Sequence, residues 1–192
     1  MFRDRKVAQV AAYFLGKTAE PGMPLLKLMK LLYLADREAI KEYGQPISND
    51  CAVSMPHGPV LSMTLDLING FTVSSPDGWS SYISDREDNK VALVRPVNTV
   101  DLDELSPAEC DVLERIWCRF GEMSQWELRD WTHDPANCPE WQDPQGSSCP
   151  IPVARIASAV GHTREQSEDI ASRIAEEKQI DRLFASLETD AR

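Results

Sequence analysis

The chain has 192 residues, 42% of them hydrophobic and 27% charged, so it is long enough for one sizeable core and lacks the composition of a disordered protein. The formal net charge of −11 lies in one half: residues 1–100 carry 11 acidic and 11 basic side chains, and residues 101–192 carry 20 acidic and 9 basic ones. This acidic half repels phosphate backbones, which argues against direct nucleic-acid binding, and it indicates either a solubilising surface or a basic protein partner.

The sequence also predicts a cytoplasmic protein with no membrane span. Residues 1–6 are charged and no apolar segment follows them, so we expect no signal peptide. Lys27, Lys30 and Asp36 interrupt the most apolar run, which excludes a transmembrane helix there. The five cysteines form no Cys-x-x-Cys pair, which is typical of reduced cytosolic thiols. Three of them are expected to be small core residues: Cys51, Cys110 and Cys118.

Two helices are predicted in the first 44 residues. Asp4 can cap the first, and Pro24 opens the second, which ends at Gly44. Apolar side chains cover almost the whole circumference of the second helix, so it is either the centre of the domain or partly covered by another protein. Its polar strip is entirely basic and either faces solvent or docks on an acidic surface, of this chain's second half or of a partner. The strip consists of Lys27, Lys30, Arg37 and Lys41.

The following segment predicts a strand, a third helix and a hairpin. Residues 51–55 are a strand candidate, and Pro59 is expected to start a helix that ends at Gly70. Residues 79–84 and 90–95 are typical of two hairpin strands. We expect this hairpin to lie against the helices, because an isolated hairpin is marginal in water.

The second half predicts four more helices. Capping boxes at Ser106 and Ser124 start the first two, and a proline-rich connection over residues 135–152 follows them. A short helix over residues 153–160 precedes a last helix that runs from Thr163 to about residue 187. Its inward residues are expected to be Ile170, Ile174, Leu183, Phe184 and Leu187. The predicted fold is mainly α (α+β): a single compact domain, residues 1–192, of about six to seven helices with one small antiparallel β-hairpin near residues 79–95.

Two residues, His57 and Asp36, could carry chemistry. His57, in the turn Met55-Pro56-His57-Gly58-Pro59, has no neighbouring nucleophile motif or glycine-rich phosphate loop, so a structural or interface role is favoured over general base catalysis. Asp36 lies on an apolar helix and needs hydrogen-bond donors, which the amides that open the Pro59 helix, or His57 itself, would supply.

Residues of the second half also contain the donor types of a zinc site. His133, Cys138 and Cys149, with Asp130 or Asp134, lack the paired spacing of structural zinc ligands. We therefore predict neither a metal nor a cofactor, and interpret His133 as a residue near a helix C-terminus that binds free carbonyls.

Three segments carry a resemblance to a known family. The stretches KLLYLADREAIKEYG (residues 30–44) and ISNDCAVSMPHGPVLSMTLDLI (47–68) resemble the Panacea antitoxin domain, the SocA-like family of toxin–antitoxin systems. The stretch LSPAECDVLERIWCRFGEMSQWELRDWTHDPANCPEW (105–141) is similar to that family's second half. The resemblance implies a mostly helical fold, no enzymatic activity, and neutralisation of a cognate protein toxin by direct binding. Because the domain starts almost at residue 1, an added DNA-binding region is not expected.

The resemblance leads to a set of candidate toxin-binding residues and leaves two rival functions open. Trp126 or Trp141 could add aromatic anchors, and the acidic half could approach a toxin with a basic active site. One rival is a protease adaptor or scaffold that delivers the toxin for degradation; the other is a small hydrolase or transferase that uses His57 with Asp36. The candidate toxin-binding residues are Lys30, Tyr33, Asp36, Arg37, Met55, His57 and Pro59. The same residues could instead serve only as the scaffold of the fold.

Overall fold

The computed structural model describes the chain over residues 2–190, and in this range it is mainly helical with a small β component, as predicted. The seven helices are α1 Asp4–Lys17, α2 Leu25–Tyr43, α3 Ser62–Ile68, α4 Pro107–Phe120, α5 Gln125–His133, α6 Val153–Ala159 and α7 Arg164–Asp190. The strands are β1 Met23–Pro24, β2 Ala52–Met55, β3 Gly58–Leu61, β4 Lys90–Val91 and β5 Cys149–Pro150.

Helix α2 is the central element of the structure. It packs against α1, α4, α5, α6 and strand β3, and most of its side chains are buried. Gly44 ends it in the left-handed conformation, φ +66°, with its N–H donating to Ile40 O, as the sequence predicts. The apolar circumference of α2 is therefore explained by neighbours within this chain. Its basic strip docks in part on the second half, since Arg37 pairs with Glu140 and the Lys27 ammonium donates to the Gly121 carbonyl.

The segment after α2 differs from the prediction. Residues 58–61 form strand β3, which pairs antiparallel with β2 in the register Ala52 with Leu61 and Met55 with Gly58, and β5 pairs with the other side of β2. The prediction that Pro59 starts a helix was wrong. Proline lacks an N–H and fits an edge strand as well as a first helical turn, and β3 is an edge strand.

The predicted hairpin near residues 79–95 is present in a reduced form. Residues 79–81 are one turn of 3₁₀ helix. Antiparallel backbone bonds then join Ser84 N to Ala92 O at 2.9 Å and Val94 N to Tyr82 O at 2.9 Å. Strand β4 itself pairs with β1, so this segment lies against the start of α2 as expected.

The second half follows the predicted order of helices. Both serine capping boxes are formed, at Ser106 and Ser124. Helix α7 buries Ile170 and Ile174, but the three residues predicted inward near its end were assigned wrongly, because the helix extends past the core: Leu183, Phe184 and Leu187 are 56–62% exposed. Two cysteines predicted in the core are also at the surface, Cys51 and Cys118, while Cys110 is half-buried.

No helix in the described range combines the length and apolarity needed to cross a membrane.

Candidate functional site

The β2–β3 hairpin forms the centre of the candidate site. Its two-residue tip, Pro56 and His57, is exposed, while Gly58 and Pro59 behind it are buried. Gly58 adopts φ +92°, and a Cβ there would lie 2.8 Å from Thr132 Oγ1 and 2.9 Å from Lys30 Nζ. Only glycine combines this left-handed backbone with so close an approach. The tip is thus a fixed turn held against α2 and α5.

Lys30 supports the hairpin from beneath. Its side chain is fully buried, and its Nζ donates to the Pro59 carbonyl at 2.8 Å. Burial lowers the pKa of Lys30 to about 7, because removal from water disfavours the ammonium form. The lysine of the family-like motif therefore anchors the backbone of the hairpin and does not reach the surface.

A second buried contact joins α2 to the segment after α5. Glu140, with a fully buried side chain, accepts hydrogen bonds on Oε1 from Tyr33 Oη at 2.6 Å and from Arg37 Nε at 2.6 Å. Its Oε2 is buried and has no hydrogen-bond partner among residues 2–190. Cys138 lies beside this carboxylate, and burial, followed by the Glu140 charge, raises the pKa of the thiol to about 12. We call Lys30, Tyr33, Arg37, Cys138 and Glu140 the buried polar cluster.

Aromatic stacking holds the other strand of the hairpin. The Trp141 ring stacks on His133 with centroids 4.3 Å apart, and its Nε1 donates to the Met55 carbonyl at 3.1 Å. The pKa of His133 is lowered, first by burial and then by the positive charges of Lys30 and Arg129. Within residues 2–190 the His133 ring makes no hydrogen bond, and its Nε2 is buried, so the interpretation of His133 as a residue that binds helix carbonyls was wrong.

Asp36 is buried, but its partners are not the predicted ones. It accepts from the backbone N–H of Ser48 at 2.9 Å and from the Ser48 hydroxyl. Burial raises the pKa of Asp36 to about 6. The carboxylate that caps α3 is Asp50, which accepts from Met63 N at 2.9 Å and Thr64 N at 2.8 Å. The predicted contact of Asp36 with the residues that follow the turn, or with His57, was therefore wrong.

The exposed side of the hairpin borders an apolar groove of about 590 Å³. Leu25, Leu26 and Met29 from the start of α2 form one wall, and the hairpin tip forms another. Trp126, at the start of α5, is 52% exposed and lies at the rim. We call this the hairpin groove; its lining residues also include Met55, Pro56, His57, Val60, Leu65, Arg86, Asn89 and Gln125.

Comparison with known proteins places this region in a family. A sequence profile described as "Antitoxin SocA-like, Panacea domain" matches residues 28–142, which is more than half of the chain. The chain belongs to the SocA-like Panacea antitoxin family. Neither the curated proteins nor the solved structures that were searched contain a match. The Panacea match spans the buried polar cluster and nearly all of the hairpin groove, whereas α1, α6 and α7 lie outside it.

The structure separates the seven candidate residues into two groups. Lys30, Tyr33, Asp36 and Pro59 are buried, and the Arg37 side chain is only 14% exposed. Met55 and His57 line the hairpin groove. Tyr33, Asp36 and Arg37 line a separate cavity, of about 220 Å³. Contact of the seven residues with a toxin stays a prediction.

Two buried acidic residues that hold this region together, Glu140 and Asp50, were not identified from the sequence. Glu140 was not singled out, although an acid between Cys138 and Trp141 in a proline-rich segment is an available signal. Asp50 was not considered as the cap of α3. Both are identified by what they contact across the fold, which a single sequence does not give.

Metal binding has no support in the described part of the chain, where no three His, Cys, Asp or Glu side chains form a group that could hold an ion. Cys138 of the suggested zinc set is buried near Glu140, while Cys149 is exposed on β5.

Proposed function

We propose that this protein neutralises a cognate protein toxin by direct binding, without catalysis, in a complex that contains both chains. Membership of the Panacea antitoxin family is the observation that carries this proposal. Membership of an antitoxin family makes a protein toxin the expected kind of partner. The geometry of the hairpin suggests where that partner docks.

The hairpin groove is the docking surface that fits this role best. Holding a toxin silent takes an affinity near nanomolar, about −12 kcal/mol, and an interface of roughly 1,200–2,000 Å² with a few aromatic or arginine anchors. Trp126 supplies a half-exposed aromatic ring at the hairpin groove, and Met55 and His57 line the same groove. A toxin segment with apolar side chains would bury this surface.

The buried polar cluster has a supporting role in this proposal. Lys30 fixes the Pro59 carbonyl, and Glu140 joins Tyr33 and Arg37 across two elements. A rigid surface loses little conformational freedom on binding, which raises affinity. The buried motif residues would therefore affect toxin binding through the shape of the hairpin rather than by touching the toxin.

The arrangement around His57 favours binding over catalysis. The imidazole makes no hydrogen bond within residues 2–190, and no carboxylate lines the hairpin groove beside it, since the buried Asp36 and Asp50 border a different cavity. A general base needs a partner that orients it and a nucleophile within reach. The proposal therefore assigns His57 to the rim of the docking surface.

Co-expression tests the proposal. The reading frame next to that of this protein is expressed alone and together with it, and growth is measured. We expect growth arrest in the first case, rescue in the second, and co-elution of the two purified chains. Rescue without a complex would overturn the proposal.

Toxin half-life, measured in the same strains, separates blockade from delivery to a protease. Direct neutralisation leaves the toxin intact, whereas an adaptor shortens its half-life. A toxin that disappears when this protein is expressed would replace the proposal with the adaptor function.

A further inference from the structure

The end of helix α7 carries an apolar stripe that the core does not use. Ile180, Leu183, Phe184 and Leu187 are 54–62% exposed, and their spacing places them on one side of the helix. Together they present on the order of 500 Å² of apolar surface, within the size range of the largest apolar patch on a typical monomer, which is often functional. We call these four residues the tail stripe; it lies outside the Panacea match.

The tail stripe is not a continuation of the buried face of α7. Ile170 and Ile174 face the core, at 7% and 3% exposure. At 3.6 residues per turn, the centre of the tail stripe lies roughly 120° around the helix from them. If the apolar residues of α7 only packed against the core, they would lie on the same side of the helix along its whole length.

Charged side chains occupy the side of α7 that faces the body. Lys178 and Arg182 border a cleft that they share with Phe2, Asn49 and Met63. By helical geometry this basic side lies roughly opposite the tail stripe. The end of α7 thus has charges toward its own domain and apolar side chains toward the outside, the reverse of an ordinary surface helix.

The charges next to the stripe indicate what covers it. Glu176 and Glu177 precede it by one turn, and the whole second half carries an acidic excess. Two copies of the stripe would bring acidic borders together and bury roughly 1,000 Å² at most, less than the 1,200–2,000 Å² of a stable interface. A partner protein whose groove has basic borders would avoid the repulsion between acidic borders. The area buried in that groove would add to the area buried at another contact between the same two proteins.

We propose that the tail stripe docks in an apolar groove edged by Lys or Arg side chains on the cognate toxin, as a second contact besides the hairpin groove. This inference rests on the proposed function, because it takes the toxin as the partner. Two contacts on separate elements act together as a bivalent attachment, so that each one raises the effective concentration of the other.

The test compares a stripe variant with a matched control in the full-length chain. The double substitution Leu183→Gln and Phe184→Gln removes half of the stripe and keeps good helix formers. Ser186→Gln changes an exposed residue of the same turn off the stripe. Binding is titrated against the toxic protein encoded by the neighbouring reading frame, at low and moderate salt, and circular dichroism checks that helix content and Tm are unchanged.

We expect the double variant to raise Kd by about 30- to 100-fold, while Ser186→Gln leaves Kd unchanged. The affinity of the unmodified protein should also fall as salt rises, because the borders are of opposite charge. Equal affinity of the double variant and the unmodified protein overturns the inference and leaves the proposed function intact. If the unmodified protein does not bind the toxin, the proposed function fails first and the inference with it.

Sedimentation of the unmodified protein, without the toxin, tests whether a second copy of this chain binds the tail stripe instead. A monomer at micromolar concentration supports a toxin partner. A dimer that the double variant abolishes would assign the stripe to a second copy of this chain and overturn the inference.

Discussion

The contact between Tyr33 and Glu140 should contribute more to stability than a hydrogen bond of the same chemistry at the surface, because both side chains are buried. Tyr33 is 1% exposed and the Glu140 side chain is fully buried, and the phenol donates to the carboxylate at 2.6 Å. Hydrogen bonds to charged groups contribute about 1.5–3 kcal/mol, and removing one partner of a buried ionic contact costs about 3–5 kcal/mol. We expect Tyr33→Phe to lower the free energy of unfolding by about 2 kcal/mol, and Glu140→Leu by about 3–5 kcal/mol.

The two substitutions should not be additive. Once Glu140 is leucine, the Tyr33 hydroxyl has already lost its acceptor, so its removal costs little or nothing further. The double-mutant cycle should therefore give a coupling free energy of about 1.5–3 kcal/mol. Urea unfolding followed by circular dichroism at 25 °C measures each corner of the cycle.

A surface pair of the same chemistry serves as the control. The Tyr13 hydroxyl donates to Glu114, whose side chain is 46% exposed. Water replaces that contact when it is lost, so the cycle of Tyr13→Phe with Glu114→Leu should couple by less than about 1 kcal/mol. Additivity of Tyr33→Phe and Glu140→Leu within about 0.5 kcal/mol, or equal coupling in the two cycles, would refute the assignment of Glu140 as a buried link.

Four further substitutions, one of them a control, probe how the β2–β3 hairpin and the following helix α3 are held. Gly58→Ala should destabilise by about 2–4 kcal/mol, since it adds a close contact to a positive φ, whereas Gly70→Ala, at φ +73° with no atom within 4 Å, should cost only about 1 kcal/mol of backbone strain in the same urea assay. Because burial lowers the pKa of Lys30 to about 7, the unfolded chain binds more protons at this residue between pH 7 and 10, and the contribution of Lys30 to stability should rise by about 2 kcal/mol from pH 7 to 9. The raised pKa of Cys138 acts in the opposite direction, so the two proteins are compared over the same range: Lys30→Met should lack this rise, and an equal pH dependence of both proteins would count against it. Asp50→Ala should lower the free energy of unfolding by about 1–2 kcal/mol through loss of the α3 cap, and no loss would mean that water replaces it.

The sequence predicted helices well wherever the start and stop signals were local. The two serine capping boxes and the Gly44 terminator are set by residues within one turn of each other, and each occurs where predicted. Pro59 failed because its local signal is ambiguous. Strand pairing with residues 52–55 decides its conformation, and that choice depends on contacts across the chain.

The candidate site was predictable in outline only. The motif around residues 55–59 does form a fixed turn, and Trp126 is exposed beside it. What could not be predicted is which side of each motif faces the interior. Lys30 and Asp36 are ionisable residues on an otherwise apolar helix, and their partners, the Pro59 carbonyl and Ser48, come from other elements. That the chain forms a single domain also stays a prediction.

Calorimetric titration of the purified toxin tests the central claim that the hairpin groove is the docking surface. Trp126→Ala removes the half-exposed ring at its rim, and Phe71→Ala removes a ring that is 80% exposed outside the groove. The account predicts that Trp126→Ala raises Kd by about 30-fold or more, the effect of a hot-spot tryptophan, and that Phe71→Ala changes it by less than about 3-fold. Unchanged affinity for Trp126→Ala would contradict it, and a loss for Phe71→Ala at the same time would place the docking surface elsewhere.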